Sequence, residues 1–136
     1  MPSPHRPSML ETVRDYLRAE GVADDNNQWP ASIGYTPDDQ DRVIGLTLSG
    51  GMPEDTHDGQ TLRDTFQLKI RAGKFDYATC EAKWREAYDV LNDANLEDYG
   101  VALIQALSSG PLVWYDDNHR PCMSVTFHVV RKKNAE

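Results

Sequence analysis

Apolar positions along the chain follow two rhythms, and the change from one to the other marks its elements. Leu10, Val13 and Leu17 stand three and four residues apart with Tyr16 beside them, which is the period of one helical face. Ser8 and Glu11 have the Ser-x-x-Glu spacing that satisfies orphan amides at a helix start, so a helix begins at Ser8 and Gly21 stops it. Between Val43 and Ser49 the period drops to two, with Ile44, Leu46 and Leu48 on one face and Gly45, Thr47 and Ser49 on the other. Phe66, Leu68 and Ile70 alternate likewise against Gln67, Lys69 and Arg71, and two consecutive strands of this kind predict an antiparallel hairpin. The connection from Gly50 to Asp64 is too long for a tight turn and too polar to be buried.

Helical spacing returns after Gly73. Asp76 is placed to cap a helix whose apolar face is Tyr77, Cys80, Trp84, Ala87, Tyr88 and Leu91, a face read as core. Val101 to Leu107 is nearly all apolar and predicts a strand buried on both faces. Leu112–Tyr115 and Cys122–Val130 flank the turn formers Asp116 to Pro121, a second hairpin, with Met123, Val125, Phe127 and Val129 on one face of the last strand. The order α-β-β-α-β-β predicts an α+β fold: a mainly antiparallel sheet of four to five strands with two helices packed on one face.

The stretch from Val22 to Asp41 has no sustained period. So long a loop is unusual in a compact domain, which leaves two readings: a short strand near Ile33, or support from outside the monomer. Trp29 and Tyr35 are its anchors, on the monomer's own core or on a neighbouring subunit.

The chain has 136 residues, enough for one domain that buries about two thirds of its unfolded surface. Residues 1–7 are expected to form a flexible arm, and residues 131–136 a flexible basic tail opened by Arg131, Lys132 and Lys133. A net charge of −8 repels phosphate backbones and anionic lipid, which argues against specific nucleic-acid binding and against a membrane partner. No run approaches the roughly 20 apolar residues of a bilayer span, and no apolar core of signal-peptide length follows the N-terminus, so a cytosolic protein is expected.

Candidate chemistry is sparse. Cys80 and Cys122 lie far apart with no Cys-x-x-Cys or His pairing, so they read as buried free thiols and no zinc site or disulfide framework is expected. His119 and Cys122 are three apart across a turn, a spacing read as incidental. Nucleophile-elbow, phosphate-loop, His-Glu-x-x-His and dinucleotide motifs are all missing, which predicts no catalytic residues and no cofactor. Glu54, Asp55, His57 and Asp58 lack EF-hand spacing and read as a solvated acidic loop or a partner-facing surface.

In its element order the chain resembles the minor capsid and tail-terminator proteins of long-tailed bacteriophages, over roughly Ser8 to Arg131. The resemblance is carried by the strand Val43–Leu48, then Ser49-Gly50-Gly51, a polar loop, the strand Phe66–Arg71 running into Ala72-Gly73, and Tyr77 opening a helix. Ser109-Gly110-Pro111 before a strand, and Asp116 to Pro121 before Val125–Val129, add to it. The resemblance implies a virion protein of the tail or neck, assembled in the host cytoplasm. It would form a hexameric ring on the finished tail tube, block further tube subunits and present a surface to the head-completion protein. A neighbouring neck or head-completion role in the same assembly is an alternative; a small-molecule-binding α+β domain outside the virion is another. Under the ring reading, the partner-binding candidates are Trp29, Tyr35, Glu54, Asp55, His57, Asp58 and Arg71, with the acidic loop lining the channel.

Overall fold

The structure is a computed structural model that describes residues 8–24, 26, 29–51, 61–97, 101–108 and 110–132. Helix α1 (Met9–Ala19) starts at the expected place: the Ser8 hydroxyl accepts from the Glu11 amide, and the Glu11 carboxylate accepts in return from the Ser8 amide. Helix α2 (Tyr77–Leu91) is capped by Asp76, which accepts from the Thr79 amide at 3.3 Å. The described strands are β1 (Ala31–Ile33), β2 (Val43–Gly51), β3 (Thr61–Arg71), β4 (Ala94–Leu96), β5 (Val101–Ala106), β6 (Leu112–Tyr115) and β7 (Pro121–Lys132).

These strands form one sheet in the order β1-β2-β3-β7-β5-β4, with β6 also on β7. The long strand β7 lies beside β3 along its whole length, while its other side is divided between β6 at one end and β5 at the other. The β2–β3 hairpin has the expected antiparallel register, Val43 opposite Arg71 and Leu48 opposite Phe66. Both helices lie on one face. Val13 and Leu17 of α1 and Cys80, Trp84, Ala87 and Leu91 of α2 share a single core with Ile44, Leu46, Phe66, Leu68, Ile70, Met123, Val125, Phe127 and Val129. Phe66 and Phe127 stack across the β3–β7 pair with centroids 5.4 Å apart.

The α+β class holds, but the sheet is larger and more mixed than the four to five mainly antiparallel strands expected. The additions include two strands of three residues, and β1 pairs with β2 in parallel. Three residues are too few to show a period. Ala94 and Leu96 are buried around an exposed Asn95, a pattern legible only once the strand is known. The strand near Ile33 exists, so the long segment before β2 gains internal support. Strand β5 is not buried on both faces: Ile104 is buried but Gln105 is exposed, because the helices cover one face of the sheet only. The β2–β3 connection is also shorter than expected, since β2 runs to Gly51 and β3 begins at Thr61, pairing Gly51 with Asp64. Arg131 and Lys132, assigned above to a tail, are paired with Leu62 and Thr61 in the sheet. On α2, Tyr77 is 41 % exposed and stands outside the core that the rest of its stripe enters.

Candidate assembly surface

The face of the sheet opposite the helices carries Thr47, Thr65, Gln67, Lys69, Arg71, Cys122 and Ser124, and its two ends are treated differently. At one end the chain leaves β1 through Gly34, whose φ of +86° lets it turn back over β2. It crosses at Gly45, where a Cβ would stand 3.1 Å from the Thr36 hydroxyl, so glycine makes the close approach possible. The segment from Pro37 to Asp41 then lies over two buried arginines, with Val43 and Cys122 fully buried at the same end.

Arg71 and Arg120 are each 3 % exposed. Arg71 donates through Nε to the Asp41 carbonyl at 3.1 Å and through a terminal nitrogen to the carbonyls of Pro37 and Gln40. Arg120 donates through Nε to Asp116 Oδ2 at 2.8 Å, through one terminal nitrogen to the Asp38 carbonyl at 3.2 Å, and through the other to the Asp38 carboxylate. Asp41 adds a carboxylate 3.5 Å away. A guanidinium has five donors in a rigid fork, and here two of them hold together a loop that has no ladder of its own.

The charges respond accordingly. Burial, with the neighbouring Arg120 cation, lowers the Arg71 pKa. Burial works the same way on Arg120, but hydrogen bonds from its guanidinium to Asp38 and Asp116 outweigh it and the pKa rises. Asp116 also accepts from the amides of Asn118 and Arg120, both at 2.9 Å. Burial would raise its pKa, but these bonds and the Arg120 charge hold the carboxyl below the usual carboxylate value.

The other end of this face is open. Lys69 lies over the Trp114 ring at 5.5 Å, and Gln67 donates to the Ser124 hydroxyl at 3.3 Å. At the margin is β6, bonded to β7 on one side only among the described residues, with Leu112 at 68 %, Val113 at 42 % and Tyr115 at 47 % exposure. Between β6 and α2 runs a groove of about 320 Å³ lined by Tyr77, Trp84, Tyr88, Pro111, Val113 and Met123 among others. Trp84 is 5 % exposed and its indole N–H has no acceptor among the described residues.

The candidates named from sequence are scattered. Trp29 is buried in the monomer's own core, flanked by the cations of Lys83 at 5.2 Å and Arg42 at 5.6 Å from its ring. Arg71 is likewise interior, its donors engaged by loop carbonyls, so in the single chain neither side chain offers contact surface. Tyr35 is 67 % exposed. Glu54, Asp55, His57 and Asp58 lie outside the described residues. Sequence reasoning placed Asp116 and Arg120 in a hairpin turn and Leu112–Tyr115 in a strand of that hairpin, and named none of them as site residues.

Groups that chemistry would need are held apart or neutral. Burial pushes the Cys80 thiol up to about 12, and its S–H is directed to the carbonyls of Ile70 and Pro121. Cys122 is raised by burial too and donates to the Arg120 carbonyl, while exposed His119 stacks on Phe75. Among the described residues no three His, Cys, Asp or Glu side chains converge as a metal site, and no helix is long and apolar enough to cross a membrane.

Residues 16–132 match the family model described as bacteriophage tail terminator protein. The chain belongs to the bacteriophage tail terminator family. Among solved structures the tail-terminator fold seen here is similar to a chain of the virion of native gene transfer agent (GTA) particle, at 14 % identity and a TM-score of 0.66. That alignment covers 92 % of this chain and 95 % of the other. No curated protein matches. Membership in the tail terminator family makes this a phage structural protein of the virion, of a kind not typically enzymatic.

Proposed function

We propose that copies of this chain close into a hexameric ring on the finished tail tube, end its polymerisation by steric capping, and present the opposite side of the ring to the head-completion protein. The observation that carries the reading is the family match over residues 16–132, which takes in α2 and all the described strands. Capping needs no bond chemistry and no cofactor. A heterologous interface repeated around an axis closes on itself, exposing one side that fits the tube and one that does not. The chain would assemble in the host cytoplasm and remain in the tail or neck of the particle.

The charge supports this use. A net of −8 would keep the passing genome from adhering to the channel wall, with Glu54, Asp55, His57 and Asp58 the side chains proposed to line it. Tyr35 is the proposed contact to a neighbouring subunit.

Tails assembled with and without the protein, imaged by negative stain, test the reading. Tubes of defined length are expected when it is present and overlong tubes when it is absent. Tubes of unchanged length in its absence would remove the terminator role.

A further inference from the structure

The sheet registers bring two distant segments to one level. Ala31, Ile44, Ile70, Met123 and Val113 form a single cross-strand row, and Ser32, Gly45, Lys69, Ser124 and Leu112 form the next. The band β1-β2-β3-β7-β6 therefore has two edges at the same height, β1 on one side and β6 on the other, neither paired outward among the described residues. Because β1 is parallel to β2, the two pairs β2–β3 and β3–β7 are antiparallel, and β6 is antiparallel to β7, the strands β1 and β6 run in opposite directions. If one copy is set beside another in the same orientation, β6 of the first meets β1 of the second as an antiparallel pair, the more favourable ladder.

We infer that β6 of one copy pairs with β1 of the next, so that the sheet continues from subunit to subunit. The inference rests on the ring reading above and supplies its subunit interface.

Three further observations support the occupant being a second copy. The first is charge. In a chain of net −8 the two longest stretches without Asp, Glu, Lys or Arg are Tyr99–Tyr115 and Asn26–Pro37, and they hold β6 and β1. Copies that repel one another elsewhere meet no like charge along these edges. The second is exposure: β6 shows Leu112, Val113 and Tyr115 to solvent on a strand with no Lys, Pro or bulge to blunt it, whereas an edge left to water is normally protected. The third is Trp84, 5 % exposed with an N–H unanswered among the described residues, in the wall of the groove beside β6, at the margin that an added strand would extend.

The test is cross-linking in the full chain. Ser32→Cys and Leu112→Cys occupy one row, on the face away from the helices, and the native Cys80 and Cys122 are buried. Oxidation with diamide should give the double variant a ladder of covalent oligomers ending at the closed ring, and should give neither single variant a ladder. Leu112→Lys should raise the concentration needed for assembly at least tenfold in light scattering while far-UV circular dichroism and Tm stay at the parent values. If parent oligomers form but the double variant gives no ladder and Leu112→Lys assembles normally, the edge pairing is wrong while the ring reading survives. If the parent chain stays monomeric both alone and with tail-tube protein, the ring reading fails and this interface with it.

Discussion

The loop from Pro37 to Asp41 and the β6 edge lie against the same sheet and meet opposite fates. The loop is polar, irregular and rich in Asp, yet four of its carbonyls and the carboxylates of Asp38 and Asp41 are engaged by two arginines that are each 3 % exposed. The edge is regular and apolar, yet three of its four side chains face water. Polarity does not sort inside from outside here. What sorts them is whether the chain contains the complementary group: the loop finds its donors at home, and the edge finds no second strand among the described residues. On the ring reading proposed above, the first behaviour would fix the subunit and the second would join it to a neighbour.

The contrast is broken most forcefully at the loop. Arg120→Ala removes the donor shared by Asp38 and Asp116 and leaves Asp116, whose side chain is 22 % exposed, beside the hole. Loss of one partner from such a pair is expected to cost about 3 kcal/mol. Thermal unfolding should show Tm falling by on the order of 10 °C, with the exposed edge unaltered. A loss under about 1 kcal/mol would mean that the loop is held by something other than its arginines.

A finer probe is Asp116→Asn, which keeps one acceptor for the turn amides and removes the charge facing Arg120. At neutral pH it should cost about 1–2 kcal/mol. The folded-state pKa of Asp116 is depressed, so its carboxylate contributes stability that is fully present above the unfolded value of about 3.9 and is lost as pH falls through the lower folded value. Parent and variant should therefore differ by a constant amount above about pH 5 and converge below about pH 4, in urea unfolding at a series of pH values. A gap that persists undiminished in acid would assign the effect to geometry instead of charge.

How much of this was legible beforehand depends on whether a signal is local. The Ser8–Glu11 box, the Asp76 cap and the alternation of β2, β3 and β7 lie within a few residues of one another, and the structure has them where they were read. The three-residue strands β1 and β4 exist only because β2 and β5 offer them an edge, and no window of three residues carries a period. Arg71 could be placed on a strand face but not under a loop some 30 positions earlier, and Arg120 sits in a turn whose composition argues for solvent. The apolar run Leu112–Tyr115 correctly announced a strand. Its exposure was not legible there, because it follows from β6 having a bonded neighbour on one side only among the described residues.

Lys69 lies between the two regions, on the open face near the β6 margin, with its ammonium over the Trp114 ring. Lys69→Ala should cost about 0.5–1 kcal/mol through the lost cation–π contact and free the indole to move, read as a change in Trp114 fluorescence against Trp29 and Trp84 held constant by substitution. An unchanged stability would show that the open face contributes little to the fold even at its cation–π contact.

The smallest expected effect is at the edge itself. Leu112 is 68 % exposed, so Leu112→Lys leaves no cavity and strands no polar group, and surface changes of this kind fall within about 0.5 kcal/mol. Chemical unfolding should therefore superimpose on the parent curve while solubility at high protein concentration rises, because an uncovered apolar edge is gone. The Arg120→Ala variant should behave in reverse, losing stability with the edge intact. A marked destabilisation by Leu112→Lys would mean that the leucine already packs within its own subunit, and the two regions would then differ in composition alone.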